Sequence, residues 1–353
     1  MLIEIKFIRK ISVLLLLFIF QVFNSCCSGD MCGCADNITK VDTVFIVDSS
    51  LVVPDELLTQ TYSQVDSCNG TEYSYQEFDI SILPYDSLPY VEHDGVFGLK
   101  RDCDVNGVPM YFYQGMNHYH PVSIAEYGLQ ILDVYHDTKK TILMDQILVL
   151  ADKLEGLSLN TESTMFFPYS YDFSLHGIEE ETLNAPWYSS MAQGIALSFF
   201  TRLYEETGDQ QYLKMSKRIF QSFLPLKGND AKPWVSCVDK DGGLWLEEYP
   251  EEIPAMTLNG MNFAIYGVYD YYRITKSREA KVILMASLTT VKSNISRYRM
   301  EGDMSLFCIK HDVQSPYHHE VHGKQLHHFY LMTGDEYFEE MAGLFEDDFV
   351  RQY

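Results

Sequence analysis

The hydrophobic pattern changes character several times along the chain. Residues 11–23 form an apolar run broken only by Ser12 and Gln21, behind the cations Lys6, Arg9 and Lys10. The run is too short for a membrane span and has the layout of a signal peptide. Residues 41–47 alternate as a strand would, within an otherwise acidic tether. Residues 67–90 are rich in Tyr, Ser, Asp and Pro and read as loop. Residues 96–104 and 108–113 are extended runs on either side of Asn106-Gly107, the dipeptide of a type I′ hairpin turn.

From Pro121 the period becomes helical, and it repeats. Tyr135-His-Asp-Thr138, Tyr204-Glu-Glu-Thr207, Tyr272-Arg-Ile-Thr275 and Tyr330-Leu-Met-Thr333 are four copies of Tyr-x-x-Thr, at intervals of about 60 to 70 residues. Amphipathic segments precede them at 124–135, 191–204, 263–272 and 321–330, and others follow, as at 212–223 and 337–345. Each copy therefore marks the bend of a helical hairpin. Gly208 and Gly334 supply left-handed caps, and Asp209 and Asp335 cap the next helix. Hairpins that bury their faces against one another give a mainly α fold, a bundle or a closed (α/α) toroid. The connections near 155–186, 225–257 and 296–317 are long, and long ordered connections on one face of a repeat fold carry binding sites.

Charge narrows the partners. The formal net charge is −24, and removing residues 1–26, with three cations and Glu4, leaves −26. Nucleic acid and anionic membrane surfaces are excluded as partners. A polyanionic glycan needs a local cluster of cations or neutral donors. Phe23-Asn24-Ser25-Cys26 runs small residues into a cysteine, the form of a bacterial lipoprotein signal with Cys26 lipidated. The chain is then exported and touches a membrane only through that anchor, at the periplasmic or outer-membrane face; a retained Golgi signal anchor is the alternative. Cys27, Cys32 and Cys34 crowd the same region, while Cys68, Cys103, Cys237 and Cys308 stand singly. No CxxC pair points to a zinc site, and spacing does not pair the cysteines into disulfides. Sequons at Asn37, Asn69 and Asn294 matter only in a eukaryotic secretory pathway.

Three stretches can carry chemistry. Within 233–260, Trp245, Glu247, Glu248 and Tyr249 place two carboxylates and a phenol beside an indole, a combination that packs on sugar rings and moves protons. A solvated acidic loop with an aromatic anchor is the plainer account. Within 307–328, His318 and His322 stand at i, i+4, the spacing of metal ligands, but without HExxH or an evident third ligand no metal is expected. His318 titrates in the range of an acid or base. Residues 186–194 place small residues around Gln193 after Trp187-Tyr188, a pattern for close helix packing with Gln193 turned inward.

These residues resemble the D-glucuronyl C5-epimerase family. The resemblance is carried by Asp94-Gly95-Val96-Phe97, Gly107-Val108-Pro109, Ile124-Ala125-Glu126-Tyr127-Gly128-Leu129 and 187–194. It continues through Glu247-Glu248-Tyr249-Pro250, Leu258-Asn259-Gly260, Gly267-Val268-Tyr269-Asp270 and His322-x-x-Gln325-Leu326, all in order. With the signal peptide at 1–26 and the tether and loop region at 27–90 read above, it implies a β-hairpin region at 91–120 and an (α/α) toroid at 121–353. The β-sandwich of larger members is missing. It further implies inversion at C5 of uronate residues in a heparosan-type polysaccharide, without a cofactor. By the same resemblance Glu248 and Tyr249 serve as acid/base groups on one face of the sugar. Lys310 stands where the family has arginine, Phe307 where it has a tyrosine, and His318 where it has the next tyrosine, with Tyr317 one residue away. Trp187, Tyr188, Gln193, Asn259, Lys310 and His322 are the expected substrate contacts. A toroidal uronate lyase and a non-catalytic glycan-binding protein are the alternatives, and a homodimer is left open.

Overall fold

Each Tyr-x-x-Thr copy forms the last turn of a long helix, and its threonine closes that turn. The computed structural model describes residues 67–91, 102–228 and 233–350. Among them eight α-helices form four hairpins: α1 (Pro121–Thr138) with α2 (Thr141–Leu157), α3 (Ser190–Thr207) with α4 (Gln210–Phe220), α5 (Leu258–Thr275) with α6 (Arg278–Asn294), and α7 (Pro316–Thr333) with α8 (Glu336–Asp348). The hydroxyls of Thr138, Thr207, Thr275 and Thr333 each donate to the carbonyl four residues earlier at 2.7 Å. The next residue is left-handed in every copy, Lys139, Gly208, Lys276 or Gly334, and its N–H returns to the tyrosine carbonyl. Asp209, Ser277 and Asp335 then cap α4, α6 and α8. The repeat is thus a capping device that satisfies orphan carbonyls and N–H groups at each bend.

The helices α1, α3, α5 and α7 pack on one another in sequence order, each with its hairpin partner alongside, the arrangement of an (α/α) toroid. Helices α3 and α5 are buried on most faces. They touch backbone to backbone: a Cβ on Gly194 would fall 2.3 Å from Ala264 Cα, and one on Gly267 would fall 2.1 Å from the Gly194 carbonyl oxygen. Toward their C-terminal ends, Arg202 on α3 pairs with Asp270 on α5 at 2.9 Å, and Arg273 forks onto Glu205.

Short antiparallel hairpins precede the first helix of every pair: β1 (Tyr111–Tyr113) with β2 (Met116–His118), β3 (Leu159–Asn160) with β4 (Met165–Phe166), β5 (Phe173–Ser174) with β6 (Thr182–Leu183), β7 (Ser236–Val238) with β8 (Leu244–Leu246), and β9 (Leu306–Cys308) with β10 (Val313–Gln314). The tight bends lie at one end of the helices, so the long connections gather at the other. Residues 67–91 are the expected loop, laid as a strap: Phe78, Ile80 and Leu88 are buried, and Ser81 donates to the Met332 carbonyl. Cys68 is disulfide-bonded to Cys237, a pairing across 169 residues that no spacing could reveal.

One turn expectation is corrected. At Asn106-Gly107 the backbone bond runs from Gly107 N–H to the Asp104 carbonyl, and Asn106 is not left-handed, so the turn is not type I′. The Asp104 carboxylate accepts from the N–H groups of Asn106 and Val108 and sets a different bend. A two-residue hairpin loop instead joins β1 to β2, where Gln114 and Gly115 are both left-handed. Residues 1–26, the tether strand at 41–47 and residues 92–101 lie outside the described residues. No helix among the described residues is long and apolar enough to cross a membrane.

Two stability outcomes follow from this packing. Replacing Lys276 by glycine removes a side chain from a left-handed position and should stabilise the fold by about 1 kcal/mol. Replacing Gly194 by alanine must separate α3 from α5 and should cost about 2–3 kcal/mol. Urea unfolding midpoints of the two variants check both signs.

Candidate active site

The acidic stretch after β8 is not a solvated loop. The Ser190 N–H bonds the Glu247 carbonyl, and the Glu247 N–H bonds that of Val235, fixing the strand end against α3. Both carboxyls then turn toward the start of α5. Glu248 is 8% exposed, accepts from Thr257 Oγ1 at 2.8 Å and also bonds Tyr249. A Cβ on Gly260 would fall 2.1 Å from Glu248 Oε2, so glycine at this position of α5 makes the carboxyl's seat. Glu247 is 1% exposed and accepts from the Met256 N–H at 3.2 Å. Burial pushes Glu247 up to about 8 and Glu248 up to about 7, the hydrogen bonds opposing only in part. Burial, and then the neighbouring Glu248, push the Tyr249 phenol well above its ordinary value. A carboxyl that titrates near neutrality is matched to proton transfer.

The first turn of α7 supplies two further titratable side chains, Tyr317 and His318. Tyr317 is held protonated by burial and by the charges of Glu126 and Glu248, which places its phenol in the field of that carboxyl. His318 packs on Phe307 with ring centroids 4.3 Å apart and lies 5.1 Å from the Tyr317 ring. His322 is fully buried, with Nδ1 on Ser305 Oγ at 2.8 Å, and His319 Nδ1 accepts from the Ser305 N–H at the same distance. Through Nδ1, His322 ties α7 to the residue that precedes β9.

Other expected contacts also hold the frame. Gln193 is fully buried: its carbonyl accepts from the Phe167 N–H, and its amide donates to the Met165 carbonyl and Ser222 Oγ. The inward orientation is as read from sequence, and the group it serves is the loop entering the site. Asn259 is buried at the start of α5, where its backbone carbonyl accepts from Gln325 on α7. Lys310 is 5% exposed, between Glu181 at 2.8 Å and Glu251. Its charge is met by carboxylates, so it braces the β9–β10 turn against two other connections.

Aromatic rings form the wall beside these groups. Trp187 stacks on Tyr169 at 3.9 Å, Phe173 stacks on Tyr249 at 5.5 Å, and Tyr171 contacts Tyr111, Tyr113 and His118. Tyr169 feels the Glu248 charge, so the wall reaches the carboxyl. Trp187 also borders a hollow of about 350 Å³ with Tyr188, Trp234, Pro186 and Pro250. Of this wall only Trp187, Tyr188 and Tyr249 were expected. The alternation Tyr169-Ser-Tyr171-Asp-Phe173 puts three rings on one side of an extended segment and was the available signal. Glu181 and Glu251 had no signal, because their role depends on where Lys310 sits.

Residues 162–347 match the sequence model of the family described as D-glucuronyl C5-epimerase C-terminus. Over 148 residues the chain is 28% identical to a protein of Caenorhabditis elegans named D-glucuronyl C5-epimerase, covering 38% of this chain and 23% of that relative. The match thus spans less than a quarter of the relative's length. Among solved structures, a sugar epimerase from a ruminal bacterium superposes with a TM-score of 0.50 at 14% identity, covering 70% of this chain and 65% of that one. Cellobiose 2-epimerase from Bacillus thermoamylovorans gives a TM-score of 0.49 at 13% identity, covering 70% and 66%. At these identities the likeness is one of fold.

The buried carboxyls make stability depend on pH. Glu247 and Glu248 bind protons more tightly folded than unfolded, so their contribution is full below about 4.5 and is lost as pH rises through about 7 to 8. Glu247→Gln removes one such group and should raise stability at pH 8 by a few kcal/mol while changing little at pH 4. Urea midpoints at the two pH values measure the difference.

Proposed function

We propose that this chain, which belongs to the D-glucuronyl C5-epimerase C-terminus family, inverts C5 of uronate residues in a heparosan-type polysaccharide by exchanging one proton for another. The observation that carries the reading is Glu248, buried, titrating near 7 and bonded to Tyr249, with the Tyr317 phenol in its field and an aromatic wall alongside.

The hydrogen at C5 of a uronate is α to a carboxylate, so its removal leaves an enolate-like anion. Glu248 in its ionised form takes the proton. Tyr317, kept protonated, returns one from the other face, and solvent restores both groups. Tyr317 is taken for this step because its phenol feels the Glu248 charge; His318, next to it, packs on Phe307. Tyr249 orients and hydrogen-bonds Glu248. The rings of Trp187, Tyr188 and Phe173 give apolar faces for the pyranose. Lys310 acts through Glu251 and Glu181 on loop position and not as a direct clamp. A lipid anchor at Cys26 on an exported chain completes the proposal; its support is the sequence pattern at 1–26, outside the described residues.

A glycan-binding protein without turnover is the second reading, supported by Phe307, which has no proton to give, and by the pairing of Lys310 with carboxylates. Proton NMR of the chain with heparosan in D2O separates the two. Epimerase action places deuterium at C5 without shortening the polymer, at a rate that rises with pH through about 7 as Glu248 ionises. Glu248→Gln and Tyr317→Phe should each slow exchange by at least about 100-fold. Line broadening without exchange marks a binding protein, and an unsaturated, shortened product marks a lyase.

A further inference from the structure

The tip of the β9–β10 hairpin and the loop between β5 and β6 meet at three atoms that the proton-transfer reading does not use. His176 Nε2 lies 3.3 Å from Cys308 Sγ, and Cys308 Sγ lies 3.3 Å from His311 Nδ1. The three ligating atoms all fall within 4.8 Å of one another. Cys308 and His311 are fully buried, so the sulfur is no exposed nucleophile. We propose that His176, Cys308 and His311 bind a zinc-class divalent cation, through Nε2, a thiolate and Nδ1, with solvent as the fourth ligand.

Geometry supports this first. A tetrahedral ion with a sulfur at about 2.3 Å and nitrogens at about 2.0–2.1 Å sets its sulfur and nitrogens about 3.5 Å apart. The observed 3.3 Å sulfur–nitrogen separations need a slight opening to admit the ion, and the two nitrogens, within 4.8 Å of each other, must stand about 3.4 Å apart around it.

The tautomer is set from outside. His311 Nε2 bonds the Glu181 carboxylate at 2.7 Å, and a neutral imidazole that donates there turns the lone pair of Nδ1 to the sulfur. His176 is left-handed, with φ 56°, and Gly177 follows at φ 75°, a bend that brings its ring onto Cys308. Its Nδ1 is buried without a hydrogen-bond partner.

Carboxylate charge stands beside the three ligands: His311 Nε2 bonds Glu181, and Lys310 is held between Glu181 and Glu251. Thiolate formation releases one proton to solvent as the ion enters, and no redox change occurs. The ion would join two connections that flank the candidate active site, since Phe307 packs on both His176 and His318.

The test is a Co²⁺ titration of the full chain with serine at Cys26, Cys27, Cys32 and Cys34, which removes the N-terminal thiols as competitors. The expected result is one equivalent of Co²⁺ with a thiolate charge-transfer band and tetrahedral ligand-field bands, displaced by one equivalent of Zn²⁺. Cys308→Ser should abolish the charge-transfer band, and His176→Gln should weaken binding by at least about 10-fold to 100-fold. Cys103→Ser should leave both unchanged. Zn²⁺ should raise the melting temperature of the parent and not of His176→Gln, a readout that stands if Cys308→Ser fails to fold. Absence of a charge-transfer band in the parent, or its persistence in Cys308→Ser, overturns the site. So does unweakened Co²⁺ binding, or an equal Zn²⁺ shift, in His176→Gln.

Discussion

The backbone contact between α3 and α5 at Gly194 and Gly267 is the constraint on which the site depends. Because the two helices meet without side chains between them, their N-terminal turns lie close together. Ser190 at the start of α3 then reaches the Glu247 carbonyl, and Gly260 in the first turns of α5 gives Glu248 its seat. Gln193, next to the contact glycine, holds the loop that carries Phe167 and leads to Tyr169. A side chain at either contact glycine would part the helices and loosen the carboxyl, the loop and the aromatic wall together.

The same burial answers an electrostatic difficulty. A chain with a net charge of −24 must accept a polyanion if the proposed substrate is right. Glu247, Glu248 and Glu251 all have raised proton affinity, so much of the negative charge in this acidic stretch is suppressed near neutrality. The remaining surface beside them is aromatic. Lys310, the nearest cation of the β9–β10 turn, is spent on Glu181 and Glu251, which binds the connections to one another. Attraction to a uronate then rests on hydrogen bonds and ring packing more than on ion pairing.

What was legible in the sequence was whatever local periodicity encodes. The Tyr-x-x-Thr copies marked the four hairpin bends because a threonine hydroxyl and a left-handed cap act within five residues. The lengths of the connections marked the end where a site gathers. Glu248 and Tyr249 stood out as chemistry-bearing neighbours, and the small residues around Gln193 foretold close packing. Lys310 and His322 were less legible, because a lone cation or histidine in a loop does not disclose its partner. Glu181, far from Lys310 in sequence, and Ser305, just before β9, came to them only through the fold.

By itself, then, the amino-acid sequence determined the helical hairpins, their caps and the order of helices and connections, since those follow from contacts between near neighbours. Only the tertiary structure decided that Cys68 joins Cys237, that Glu248 is buried enough to titrate near neutrality, and that Cys308 lies between His176 and His311. The first and the last join residues from different connections. Their proximity, and the loss of water that shifts their proton affinities, exist only after the helices have packed.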